Sequence, residues 1–210
     1  MVETELKADL HRYLKQAREA LLWKLDGLSE YDIRRPMTPT GTNLLGLVKH
    51  LIGVELMYLG YTFGRHFDGQ VPWFGPTGRL EDMDFTTVDP TEEPNEDMWA
   101  TADESREYVV GLYRRAWVHA DATIEALRLD ETGHVPWWSE GQDKPTLHRV
   151  LVHLIAEIQR HAGHADIVRE LIDGAAGLRE DNDNLAPGDR SWWEDYRNRL
   201  ERVAREAGQS

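Results

Sequence analysis

At 210 residues the chain is long enough for one well-packed domain with an appended element and short for two large ones. A formal net charge of −14 repels phosphate backbones and anionic lipid, and no basic cluster offsets it, so neither nucleic-acid nor membrane-surface binding is expected. The absence of cysteine excludes disulfides, thiolate metal ligands and a cysteine nucleophile, leaving any thiol chemistry to an external thiol.

The opening stretch MVETELKADLHRYLKQ is charged and amphipathic and lacks the apolar core of a secretory signal, which favours a cytoplasmic setting. Leu6, Leu10, Tyr13, Leu14, Ala17, Leu21 and Leu25 recur at helical spacing and predict a first helix over about residues 4–28. Two prolines in RRPMTPTGTN end it, and Thr42 or Asn43 is suited to cap a second helix reaching Phe63. Lys49, His50 and Glu55 make that apolar run a core helix rather than a membrane span. The connection from Gly64 to about Asn95 is rich in Pro, Gly, Asp and Glu. Connections of that length serve as lids or crossovers, are disordered segments, or are surface decoration.

A third helix is predicted from about Asp97 to Leu129, with Tyr108, Leu112, Ala116, Ile124 and Leu127 facing inward. DETGHVPWWSEGQDKP is a turn-rich link, and Pro145 at its end suits the first turn of a fourth helix. That helix runs to about Ile172 and stops at Asp173-Gly174. RSWWEDYRNRLERVAREAG makes a charged C-terminal helix with Trp192 or Trp193 as its anchor. With no alternating strand pattern and no internal repeat, the expected fold is an all-α four-helix bundle. It has a long connection between helices two and three and an extra C-terminal helix.

The stretch HLIAEIQRHAGH, residues 153–164, breaks the apolar pattern of the fourth helix. With Glu157 at zero and about 100° per residue, His161 falls near +40°, His153 near −40° and His164 near −20°. Val150, Leu154, Val168 and Leu171 share that stripe, so the polar cluster looks toward the core. A buried carboxylate needs compensation. A divalent metal supplies it, because Glu157 and His161 stand on adjacent turns. His50 on the second helix, on one face with Leu47, Val54, Met57 and Tyr61, is the third candidate ligand. Gly46 and Gly53 beside it would leave room next to the ion.

Two imidazoles and one carboxylate leave open positions, the pattern of a catalytic zinc site, although nickel, iron or manganese suit it too. The alternatives are a polar core satisfied by hydrogen bonds alone, or a site in which His153 or His164 replaces a ligand or bonds to one. His148 falls on the opposite, solvated side of its helix, and surface or loop positions account for His11, His66, His119 and His134. The acidic run DPTEEPNED reads as solvated loop, with calcium binding a remote alternative for want of an EF-hand pattern.

The stretches LLGLVKHLIGVE and LHRVLVHLIAEIQRHAGHADIVRELIDG, with PWW ahead of the second, resemble the DinB-like metal-binding four-helix bundles. Within them they are most similar to the actinobacterial mini-circle and mycothiol-dependent transferase-like branch. The resemblance covers about residues 8–178, so the chain divides into a bundle domain, 1–178, and a charged extension, 179–210. Many members of the superfamily use three histidines; Glu157 replaces one of them here, as in the mycothiol-dependent isomerase branch.

The resemblance implies zinc held by His50, Glu157 and His161, mycothiol or a similar low-molecular-weight thiol as co-substrate, and homodimers in many members. The activity it implies is thiol S-transfer to a small electrophile through a metal-activated thiolate. Trp137, Trp138 and His164 are the residues expected to line the thiol or substrate pocket, with His164 also a candidate base or ligand neighbour. Two other readings stand beside it. One is a metal-dependent hydrolase with bound water and His164 or Glu55 as base; the other is a non-catalytic metal- or ligand-binding protein.

Overall fold

In the computed structural model, which describes residues 2–83, 95–180 and 182–209, the helices are α1 (Val2–Trp23), α2 (Glu30–Arg34), α3 (Leu44–Leu59), α4 (Arg106–Ala126), α5 (Leu147–Asp173) and α6 (Arg190–Ala207). Short 3-10 turns lie at Tyr61–Phe63, Leu80–Asp82 and Glu96–Met98. Among the described residues there is no strand, and two isolated β-bridges pair Thr132 with Thr146 and Arg179 with Asn182. The chain divides into two compact units, Met1–Ala176 and Gly177–Ser210. The expected all-α bundle is the first of these, built from α1, α3, α4 and α5.

Helix α3 is its central member. Leu44, Leu45, Leu47, Val48, Leu51, Ile52, Leu56 and Leu59 are all buried, so the helix is apolar nearly all round and packs on both α4 and α5. The run Leu44–Phe63 is long and apolar enough to cross a membrane, yet 78% of it is buried inside the bundle. Asn43 is the cap, its side chain accepting from Gly46 N at 2.7 Å. Helix α1 lies mainly against α5. Their ends are joined by Lys24, 2.5 Å from Asp166, and by Arg169, whose Nη1 donates to the carbonyls of Lys24 and Asp26.

Several boundaries differ from expectation. Helix α1 stops at Trp23 because the chain turns there, with Gly27 at a positive φ of 76°. Ser29 then caps the short α2, which periodicity did not reveal. Helix α4 begins nine residues later than Asp97, at Arg106, because Ser105 caps it by accepting from Tyr108 N. The residues before it are tied elsewhere: Thr101 N and Lys49 Nζ both donate to Glu104 Oε2. Thr146, not Pro145, opens α5, and Gly174 closes it in the left-handed region, as expected.

Some apolar residues expected inside are exposed: Leu6 and Tyr13 on α1, Tyr108 on α4 and Leu171 on α5. In the second unit, α6 has no buried residue, and Trp192 stacks on Tyr196 of the same helix. Of the acidic run from Asp89 to Asp97, residues 89–94 lie outside the described residues.

Candidate functional site

Helices α3 and α5 run antiparallel, and two ring contacts fix their register. His50 meets His161 at 4.9 Å between centroids, and Tyr58, eight residues on, meets His153, eight residues back, at 4.8 Å. Glu157 lies midway, at the level of Val54. One ligand atom each from His50, Glu157 and His161 falls within 4.8 Å of the other two, a group that can hold a metal ion. Glu157 Oε1 is 3.0 Å from His161 Nε2, while His161 Nδ1 is buried with no hydrogen-bond partner. Burial, and then the neighbouring His50, lower the pKa of His161 and favour the neutral imidazole a metal requires.

The environment of His50 contains a residue that periodicity could not supply. Nδ1 of His50 lies 2.6 Å from Oδ2 of Asp97, in the 3-10 turn Glu96–Met98. With the carboxylate as acceptor the ring proton is on Nδ1, which leaves the Nε2 lone pair for a ligand. That turn is pinned to the start of α3. Met98 O accepts from Asn43 Nδ2 at 3.2 Å, and a Cβ on Gly46 would stand 1.8 Å from the same oxygen. A Cβ on Gly53 would meet the Phe74 ring at 3.3 Å. The two glycines thus admit the crossover chain: the room expected at Gly46 is taken by Met98, whereas Gly53, beside the Phe74 ring, lines a cavity next to His50. The signal in the sequence is the acidic run ending at Asp97, whose composition by itself points only to solvated loop.

A cavity of about 490 Å³ opens beside His50. Its described walls come from α3, from residues 72–76 and 83 of the connection, and from Asn95, Glu96 and Asp97. Residues of the α3–α4 connection therefore form one side of the site.

The other expected residues distribute unevenly. His164 is exposed, its ring 5.5 Å from that of His161. His153 does not join the ligand group; burial is the main cause lowering its pKa, and it packs between Tyr58 and Trp138. Trp137 and Trp138 both donate their indole N–H to Tyr58 Oη, at 3.2 and 3.1 Å. They therefore stand at the Tyr58 level, two helical turns along α3 from His50, and are not among the described residues lining the cavity beside it.

Glu55 is fully buried and held by Arg18, with Arg18 Nε 2.8 Å from Oε1; a carboxylate so paired is not available as a base. His148 is exposed, as expected. His11 and His119 are more than surface residues: His11 pairs with Asp121 at 2.8 Å, and His119 Nε2 lies 2.8 Å from the Arg65 carbonyl oxygen.

Comparison with curated proteins and with solved structures returns no match. A protein-family model described as mycothiol-S-transferase matches residues 9–174, a span that contains α3, α5 and all three clustered residues. The chain belongs to the mycothiol-S-transferase family, a DinB-like family.

Proposed function

We propose that this protein is a zinc-dependent S-transferase that joins mycothiol, or a closely similar thiol, to a small electrophile. The observation that carries this reading is the convergence of His50, Glu157 and His161 within 4.8 Å in a chain of this family. Two imidazoles and one carboxylate match the donor set of an open zinc site, and the lowered pKa of His161 favours the neutral imidazole such a site needs. Bound there, the divalent ion supplies a Lewis acid that favours the thiolate form of a thiol at neutral pH.

The chain's own groups do the remaining work. Asp97 orients the His50 ring through Nδ1. Glu157 brings one negative charge to the donor set, so the three ligands and a divalent ion carry net +1, which a thiolate neutralises. His164, exposed beside His161, is the candidate base for the thiol proton. The apolar cavity wall keeps water from the electrophile. Glu55 is held by Arg18 and drops out as a base for hydrolysis; thiol transfer is the stronger reading because the chain belongs to the mycothiol-S-transferase family. The reaction belongs in the cytoplasm, where reducing conditions preserve a free thiol.

The test is metal content of the purified protein and of His50→Ala and Glu157→Ala, followed by mycothiol titration of the cobalt-substituted protein. About one metal per chain, lost in both variants, and a thiol-dependent change in the cobalt spectrum are expected. A folded protein that takes up no metal, or a cobalt spectrum indifferent to mycothiol, overturns the reading. Sedimentation of the same sample decides whether the protein is the homodimer the resemblance suggests.

A further inference from the structure

The cavity beside His50 has soft, apolar walls and an acidic edge. Val54, Met57, Pro72, Phe74, Pro76 and Met83 supply apolar surface, and the two methionines adapt to ligands of different outline. The charged residues among its described walls are Glu96 and Asp97, both negative. Asp97 is engaged by His50, whereas Glu96 is exposed. Behind the wall, the Lys49 ammonium lies 4.4 Å from the centre of the Trp73 ring. Lys49 is 1% exposed and its Nζ is 3.0 Å from Glu104, so this cation is sealed off and already neutralised. Residues 84–94 contain Asp84, Asp89, Glu92 and Glu93 and no Lys or Arg.

The geometry points to a selection by charge: the cavity takes an uncharged or cationic, largely apolar electrophile and rejects carboxylate-bearing ones. The inference rests on the thiol-transfer reading of the neighbouring ligand group. With a thiolate present, a divalent ion and Glu157 together carry no net charge, so nothing in the site offsets the acidic edge. A volume of about 490 Å³ is within the range of small-molecule pockets and suits one substituted aromatic ring. In the transfer, a carbon–sulfur bond forms between the thiolate and the electrophilic carbon. The leaving group departs with its bonding pair, and the thiol proton passes through His164 to solvent.

Binding measured without thiol tests the selection separately from turnover. The probes are 4-nitrobenzyl alcohol, 4-nitrobenzylammonium and 4-nitrobenzoate, titrated calorimetrically into the metal-free full chain, where no divalent ion can take up a carboxylate, and into metal-free Glu96→Lys. The alcohol and the ammonium are expected to bind at least tenfold more tightly than the benzoate, and Glu96→Lys to narrow that gap. Benzoate binding as tight as the others, or no binding of any probe, overturns the inference. Failure of the thiol-transfer reading appears elsewhere, in the mycothiol titration of the cobalt-substituted protein, so the two can fail independently.

Discussion

Oδ2 of Asp97 lies 2.6 Å from Nδ1 of His50, a carboxylate–imidazole pair joining the crossover between α3 and α4 to the ligand group. Burial acts to raise the Asp97 carboxyl, but its hydrogen bond to His50 outweighs it and holds the group below its ordinary value. Partners of this kind are worth about 10–100-fold in metal affinity. Asp97→Ala is therefore expected to weaken zinc binding by about that factor while leaving the helical content unchanged. Competition against a fluorescent chelator measures it, and an affinity equal to that of the unaltered protein would show that the pair is incidental.

The close approach at Gly46 gives a related prediction. Gly46→Ala forces the Met98 carbonyl away from α3, at a cost of about 1–3 kcal/mol for overpacking. Since Met98 and Asp97 share one 3-10 turn, zinc affinity should fall together with stability. Gly163→Ala is the control: it lies on α5 with nothing within 4 Å of the added Cβ. It should leave stability unchanged or slightly raised, as helix propensity favours Ala. Urea unfolding of both variants, with the chelator competition repeated, separates the two effects.

Arg18 ties α1 to both neighbours: Nε donates to Glu55 on α3, and Nη1 lies 2.6 Å from Asp121 on α4. Arg18 is 1% and Glu55 0% exposed. Arg18→Met strands a buried carboxylate and should cost about 3–5 kcal/mol. The double variant Arg18→Met with Glu55→Leu should recover most of that loss, because it removes the charge along with its partner. Urea midpoints compared across the cycle check this; a double variant no more stable than the single would show that the pair itself is what stabilises.

Acid sensitivity follows from Asp121. Burial acts to raise its carboxyl, but the charge of Arg18, its hydrogen bond and that of His11 prevail, and the net shift is downward. A carboxyl with a folded-state pKa below its unfolded value, about 3.9, gives stability that is complete above that value. The contribution is lost as pH falls through it toward the folded-state pKa. Asp121→Asn should thus be less stable at pH 7 and lose less on acidification. Urea unfolding at pH 7, 5 and 3.5 measures it, and parallel pH profiles for the two proteins would count against the assignment.

The four long helices of the bundle and their order, the glycine stop at Gly174 and the inward stripe of α5 were legible in the sequence because each depends on local periodicity or local φ. His50 was legible for the same reason, as an imidazole interrupting an apolar face. The start of α4 was not, since the residues before it are held by partners distant in sequence, Arg34 donating to the carbonyls of Ala100, Thr101 and Glu104, and Lys49 to the Glu104 carboxylate. Leu6, Tyr13, Tyr108 and Leu171 had the right spacing for the core but are exposed, because a helical stripe is buried only where a neighbouring helix reaches it.

By itself the sequence determined the chemistry available: no thiol of its own, a strongly acidic chain, and two imidazoles and a carboxylate on inward-facing stripes of two helices. The tertiary structure decided which of these groups meet. Antiparallel pairing of α3 with α5 brought His50, more than a hundred residues away in sequence, to Glu157 and His161, while the same register sent His153 to Tyr58 and the two tryptophans. The crossover turn, seated against Gly46, delivered Asp97 to His50. Such encounters depend on helix register and backbone approach, which are set by packing across the bundle and leave no periodic trace in any one segment.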